Sequence, residues 1–157
     1  IGPTLKSSFS LMFIDLFVFG KPVGQPRPRA RRFGDRVIIY DPKTAEPWRK
    51  DIAEAVEVEM ERIELPLLTG PLKMNGEFYF SRPKSHFRTG KNAHLLKTSA
   101  PCYHTQKPDA DNLFKAAADA VNDILYHDDR QIVEAHVSKH WVESSTLEGM
   151  QLSVSPA

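Results

Sequence analysis

Five ionisable side chains crowd two short stretches of this chain. Asp109, Asp111 and Lys115 sit in the run Lys107-Pro108-Asp109-Ala110-Asp111-Asn112-Leu113-Phe114-Lys115, and the pair Asp128-Asp129 follows about one helix later. Two carboxylates held ~4 Å apart repel by about 4 kcal/mol at an effective dielectric near 20, so a cluster of this kind requires protons or a cation. Oxygen ligands with open positions suit Mg²⁺, which keeps waters and binds phosphate. Such an ion orients or deprotonates a water, polarises phosphorus and stabilises a leaving oxygen, and Lys115 adds positive charge on the phosphoryl oxygens. The chemistry these groups suit is hydrolysis of a phosphodiester. Taken singly, each has a plainer use: an Asp before a helix is a cap, an Asp-Asp after one is a turn, and a lysine on a helix is solvated.

Placing these groups together is the task of the surrounding elements. Asp109 and Asp111 alternate across Ala110. In extended backbone residues i and i+2 face the same way, so both carboxylates are expected to point at one spot, with Asp111 or Asn112 capping the helix that follows. That helix is expected over Asn112 to Leu125, burying Leu113, Phe114, Ala117, Ala118, Val121, Ile124 and Leu125. Lys115, four residues after Asp111, shares its side of the helix. Asp128-Asp129 falls where the helix returns to a strand, Gln131 to Val142, with Val133, Ala135, Val137 and Trp141 on one face. If that strand lies beside the Asp109 segment, Asp129 joins the first pair.

Upstream, Met12 to Phe19 and Arg36 to Tyr40 read as strands. The turn Asp41-Pro42-Lys43-Thr44, with Thr44 as N-cap, leads into an amphipathic helix carrying Trp48, Ile52, Ala55, Val56, Met60 and Ile63. Pro66 and Gly70-Pro71 stop that helix, Leu72 to Phe80 is a strand, and Gly149 to Val154 is expected as a last edge strand. The order β-β-α-β-loop-α-β-β predicts a single α+β domain over residues 1–157, with a mixed or antiparallel sheet and two principal helices.

The net charge of +1 conceals segregation. Arg27, Arg29, Arg31, Arg32 and Arg36 crowd one stretch, opened by the irregular arm Gly20 to Arg29 with its three prolines. Ser81 to Lys107 carries Arg82, Lys84, Arg88, Lys91, Lys97 and Lys107 and no acid. It shows no periodicity, and so long a structureless loop in a compact domain is usually functional or disordered. Two basic segments beside a carboxylate cluster suggest a polyanion held by the first and processed by the second. One cysteine, Cys102, excludes an intrachain disulfide and fits a reducing compartment. The apolar run Phe9 to Phe19 is too short to span a bilayer and contains Asp15. The first methionine is Met12, which leaves Ile1 to Leu11 as an upstream extension or a cloning remnant, a choice an intact mass would decide.

The pattern Lys-Pro-Asp-x-Asp-Asn-x-x-Lys (107–115), then Asp-Ala-x-Asn (119–122), Asp-Asp-x-Gln-Ile (128–132) and Lys139, resembles the signature of the RusA-type Holliday junction resolvases. The Arg27-Pro28-Arg29 arm after Gly20-Lys21-Pro22, and the turn Tyr40-Asp41-Pro42-x-Thr44, match that family too, so the resemblance runs from about Met12 to Trp141. It implies a RusA-like fold and a homodimeric, Mg²⁺-dependent endonuclease, with Mn²⁺ as substitute. Such an enzyme cuts four-way DNA junctions by two symmetric nicks leaving 5′-phosphates, in recombination and repair, in the cytoplasm of a bacterium or from a phage gene. Carried over residue by residue, the catalytic groups fall on Asp109, Asp111, Lys115 and Asp129, and the metal ligands on Asp109, Asp111 and Asp129 with Asp128 beside them. The residues expected to face DNA are Arg27, Arg29, Arg31, Lys84, Arg88, Lys91, Lys107 and Lys139. A junction with two-fold symmetry needs two related cuts, which a two-fold dimer supplies. Two departures stand out: Gln25 where the family often has lysine, and Asp123 where it often has glycine near the helix end.

Two other readings compete. In a non-catalytic module that binds junctions or branched nucleic acid, the acids would serve only as caps and turns; a protein that only binds has no need of acids near phosphates. A restriction-like nuclease would use Pro108-Asp109 with a later acid-x-Lys, but Asp111 lies four residues from Lys115, the wrong spacing. His136 and His140 share a strand face without a third ligand for zinc, and His127 reads as a surface histidine.

Overall fold

A computed structural model describes residues 12–40 and 42–157. The expectation for Ile1 to Leu11 lies outside the described residues, as does Asp41 of the turn. The fold is α+β, built on a mixed four-stranded sheet and two helices, as the order of elements predicted. Strand β4 (Leu72–Ser81) is the organising element, with Leu72, Met74, Gly76, Phe78 and Phe80 turned inward at every second position. On one side it pairs antiparallel with β6 (Gly149–Pro156), which pairs in turn with β1 (Ile14–Phe19). On the other it pairs parallel with β5 (Ile132–Val142). Parallel neighbours need a crossover, and helix α2 (Ala110–Ala120) lies in that connection.

Helix α1 (Glu46–Arg62) buries Trp48, Ile52 and Val56, and α2 buries Leu113, Ala116, Ala117, Ala118 and Ala120. The small alanines let α2 lie close, and both helices join one core with Phe78, Met150 and Leu152 of the sheet. Removing this apolar surface from water stabilises the fold by about 25 cal/mol per Å² buried.

Several expectations are corrected. Strand β6 is not at an edge: the order is β1-β6-β4-β5, with β6 central between β1 and β4. A Cβ on Gly149 would stand 2.3 Å from the Val18 carbonyl oxygen, so this close strand contact requires a glycine. The arm does not stay irregular to Arg29, because Arg29–Phe33 forms β2 and pairs with β3 (Arg36–Tyr40) in a separate hairpin. Ala45, not Thr44, is the N-cap of α1, and no side chain caps it; Pro47 takes an early position where a missing N–H costs nothing. Helix α2 starts before Asn112 and stops at Ala120, with Val121 as its C-cap. Strand β5 lies at the sheet edge, and of the expected face Val133, Ala135, Val137 and Trp141 only Val137 and Trp141 are half-buried. The basic segment 81–107 is tied by its own backbone bonds, Arg88 N–H to Leu95 O at 2.8 Å and Lys97 N–H to His86 O at 2.9 Å.

Candidate active site

Asp109 is the N-cap of α2, with extended dihedrals (φ −71°, ψ 147°), and Asp111 lies in the first helical turn. The two acids therefore do not alternate along extended backbone as expected, because the helix begins at Ala110. The N-cap is Asp109 rather than the expected Asp111 or Asn112, and its side chain makes no capping bond. Among the described residues, neither carboxylate has an ion-pair partner, and both are exposed. The positive end of the helix dipole favours negative charge at this place.

Strand β5 fixes the segment leading to Asp109. Lys139 Nζ donates to Gln106 O at 2.8 Å and to Pro108 O at 3.0 Å, and Trp141 Nε1 donates to Tyr103 O at 3.1 Å. Lys139 thus spends two of its three donors on the loop. From the opposite side the proline-rich arm packs on the same helix end. Gln25 N–H donates to Asn112 O at 2.8 Å, and a Cβ on Gly24 would come within 3.0 Å of Pro108 Cβ. Between arm and loop lies a cleft of about 850 Å³, with Arg27 and Arg29 on one wall and Lys107 and Asp109 on the other. Gln25 lines it too, its Oε1 buried without a partner.

The floor of the cleft is aromatic. His104 is buried, its ring 4.4 Å from that of Phe80 and 4.3 Å from that of Trp141. Burial first, and the Lys139 ammonium second, push its pKa down, which disfavours its charged form. His86 is also buried, against the edge of Trp141. Arg82 turns inward to Pro101 O at 2.7 Å. Lys84, Arg88, Lys91 and Lys107 are exposed.

Asp111, Lys115 and Asp119 recur at i, i+4 and i+8 and form one stripe along α2. Lys115 Nζ lies 3.8 Å from Asp119 Oδ2. Asp129 faces this stripe from the turn before β5. Its pKa is raised, by burial first, then by the carboxylates of Asp128 and Asp119, while Lys115 opposes the shift. Asp128 goes the other way. The Arg130 N–H and side chain hold its carboxyl below the usual range, with Arg130 N–H donating to Oδ1 at 2.8 Å. Asp128 caps the 3₁₀ turn Asp129–Gln131, and Gln131 completes the capping box by accepting from Asp128 N–H at 3.2 Å. Gln131 Nε2 also donates to Leu68 O and Gly70 O, both at 3.1 Å. The buried Tyr126 hydroxyl donates to Ala118 O at 2.7 Å, and its pKa is raised, by burial first and then by Asp129, Asp119 and Asp128.

The helical rise of ~1.5 Å per residue sets Asp111 and Asp119 about 12 Å apart along the axis. Asp129 interacts with the Lys115–Asp119 end of the stripe, and Asp109 and Asp111 stand at the other. Accordingly, among the described residues, no three His, Cys, Asp or Glu side chains converge as a metal site. The donor chemistry still fits a hard divalent ion. The acids are exposed oxygen donors, and Asp129 retains an excess of neighbouring negative charge. Mg²⁺ is usually bound by one or two carboxylates with water and substrate phosphate rather than by a full protein cage.

A family model described as "Endodeoxyribonuclease RusA" matches residues 20–148, most of the chain. The chain belongs to the RusA endodeoxyribonuclease family. It is also 33% identical over 142 residues to the uncharacterized protein YqaN of Bacillus subtilis (strain 168), covering 90% of this chain and 97% of that one. The RusA match opens at Gly20, where the arm begins, and ends at Glu148, whose Oε2 accepts from Ser81 N–H at 3.2 Å. It encloses the cleft, α2 and the Asp129 turn.

Two residues of this RusA-family chain were not expected to act at the site. Asp119 was visible only as part of a motif, yet it sits one helical turn from Lys115, a spacing that already marks a pair. Gln131 stands three residues after Asp128, the spacing of a capping box. Asp123, read from the sequence as a departure from the family's pattern, takes φ +63°. It keeps a glycine-like exit from the helix, with its N–H donating to Tyr126 O at 2.8 Å. No described helix is long and apolar enough to cross a membrane.

Proposed function

We propose that this chain is a Mg²⁺-dependent endonuclease that resolves four-way DNA junctions. It does so as a homodimer, by paired symmetric nicks leaving 5′-phosphates, in cytoplasmic DNA recombination and repair. Residues 1–157 act as one nuclease domain. The observation that carries this reading is the cleft joining the arginine arm to Asp109 at the start of α2, with Asp111 in the adjoining first turn.

A DNA strand enters between Arg27 and Arg29 on one wall and Lys107 on the other, which bind its phosphates. Lys84, Arg88 and Lys91 extend the contact along the basic segment. Lys139 and Trp141 hold the loop so that Asp109 faces the strand at a fixed place. Asp109 and Asp111 would hold the metal ion together with water and substrate phosphate, and Asp129, toward the other end of the stripe, would join them only with a rearrangement of its turn, which Asp128 chiefly shapes. When bound, Mg²⁺ would supply an activated water and charge neutralisation at phosphorus. Lys115 leaves Asp119 to neutralise a non-bridging oxygen as negative charge grows there.

The deciding experiment sets a synthetic four-way junction beside a linear duplex of the same sequence, with and without Mg²⁺ or Mn²⁺. Metal-dependent paired nicks in the junction alone are expected. Asp111→Asn should abolish nicking while binding survives or tightens, because less negative charge faces the phosphates. Tight junction binding without cleavage at any metal concentration would mean that the protein is a binding module, and full cleavage by Asp111→Asn would remove the acids from the mechanism.

A further inference from the structure

The hairpin β2–β3 stands apart from the main sheet, and all ten of its strand residues are exposed. A lone two-stranded hairpin is marginally stable in water, and among the described residues no other element covers either face of this one. Its register separates its two sides. Arg29, Arg31 and Phe33 are opposite Tyr40, Ile38 and Arg36. Directly opposed residues share a face, so one side carries three arginines and three aromatic or aliphatic groups, with the Arg31 guanidinium over the Phe33 ring at 5.0 Å. Ala30 and Arg32 are opposite Ile39 and Val37 on the other side. That second side holds the most exposed aliphatic groups of the hairpin, Ile39 at 73% and Val37 at 65%, against 47% for Ile38 on the first. The first face suits a phosphate backbone. The second, with one arginine among three apolar groups, suits a protein.

A complementary surface lies elsewhere on the chain. Strand β1 and helix α1 enclose a shallow groove of about 560 Å³ lined by Phe17, Phe19 and Val58 and rimmed by Asp51, Glu54 and Glu59. Phe19 is 70% and Val58 66% exposed, so among the described residues the groove presents apolar surface to solvent. The rim acids are only partly neutralised. Glu59 pairs with Arg62 and Glu54 reaches Lys50 at 3.9 Å, while Asp51 has no ion-pair partner among the described residues. Strand β1 is also an edge of the sheet, with one side unpaired among the described strands.

We infer that the Ala30/Val37/Ile39 face of the hairpin docks in the β1–α1 groove of a second copy of this chain, with Arg32 toward the acidic rim. Apolar surface meets apolar surface, and a basic hairpin meets an acidic rim. Hairpin and groove are different patches, so one docking alone is head-to-tail. A two-fold axis uses both hairpins and both grooves at once and closes the assembly. The arginine face, Arg29, Arg31 and Arg36, then remains free for DNA. This inference rests on the homodimer reading above and gives it a surface.

Sedimentation of the whole protein, with Val37→Asp/Ile39→Asp and Val58→Arg as variants, tests it. All three sites are exposed, so folding is expected to survive and far-ultraviolet circular dichroism checks it. The wild type should be a dimer, and each variant should raise the dissociation constant at least a hundredfold. In a Cys102→Ser background, mixing Ile39→Cys protein with Val58→Cys protein under mild oxidation should give a disulfide-linked pair of chains. A monomeric wild type would overturn the homodimer reading and this inference with it. A dimer untouched by the variants would overturn the surface and leave the homodimer standing. An internal crosslink in the monomer of the doubly substituted chain would place the hairpin on its own groove, and a ladder of growing oligomers would remove the two-fold closure; either defeats the inference.

Discussion

Replacing Lys139 with methionine separates two uses of one lysine. If its ammonium contacts DNA phosphate, its loss weakens binding; if it clamps the loop that carries Asp109, its loss frees that loop. The structure favours the clamp, through bonds of 2.8 and 3.0 Å to Gln106 O and Pro108 O. A hydrogen bond with one charged partner contributes about 1.5–3 kcal/mol. One of these bonds is exposed and the other half-buried, so the low end applies to each, or about 3 kcal/mol for the pair. Methionine keeps most of the stem's packing, which confines the loss to the hydrogen bonds. Placed on residues 101–108 alone, that loss favours the detached loop by on the order of a hundredfold. Hydrogen exchange should show faster exchange through this segment. Nicking should slow by up to the same factor. The slope of log affinity against log salt should hardly change, because no phosphate contact is lost. His104 offers an independent readout, since Lys139 is the second cause of its lowered pKa after burial. Its titration, followed by NMR, should move upward in Lys139→Met and still stay below the ordinary histidine value. If instead the salt slope falls by about one unit while loop exchange and His104 are unmoved, Lys139 is a phosphate ligand and the clamp is wrong.

Asp119→Asn removes one of the carboxylates that raise the Asp129 pKa. A metal-binding acid works ionised, so activity is lost as pH falls through the raised value, and the acid limb of the pH–rate profile should move to lower pH in this variant; an unmoved limb would uncouple Asp119 from Asp129. Gln131→Ala removes bonds to Leu68 O and Gly70 O and two accepted from His127 and Asp128 N–H. At about 1 kcal/mol each, less for the exposed ones, urea unfolding should show a loss of about 2–4 kcal/mol, and a loss below about 0.5 would contradict the turn-locking role. Asp123→Gly relieves a non-glycine residue at φ +63° and should be neutral or stabilising by up to about 1 kcal/mol, allowing for glycine's greater unfolded-state entropy; a clear destabilisation by the same measurement would show that the Asp123 side chain contributes more than its backbone strain costs.

What the sequence revealed follows from how local each signal is. The two helices were legible because Trp48, Ile52 and Val56, and likewise Leu113 and Ala117, repeat at a period that only a helix satisfies. Strand β2 was missed because Arg29 to Phe33 holds three arginines and follows the prolines of the arm, whereas the equally exposed β3 was legible from its β-branched Val37, Ile38 and Ile39. Strand β6 alternated correctly through Met150, Leu152 and Val154, but alternation reports one buried face and says nothing about neighbours in the sheet. Whether such a strand is central or at the edge depends on β1, more than a hundred residues away. The site divides the same way. Lys115 with Asp119, and Asp128 with Gln131, are local pairs whose spacing already encodes the contact. The clamp from Lys139 to Pro108 spans 31 residues, and no residue between them carries its trace. The failure over Asp109 and Asp111 shows how finely such reasoning depends on boundaries. Two acids separated by one residue share a face if the backbone is extended through both. Helix α2 begins between them, so their relation is set by a cap and a first turn instead. In that arrangement the place of Asp111 relative to Lys115 and Asp119 is set by helical spacing, whereas Asp109 answers to the loop that Lys139 and Trp141 hold. The two acids of one short motif are therefore positioned by different parts of the fold, and a perturbation of β5 should displace Asp109 while leaving Asp111 in place.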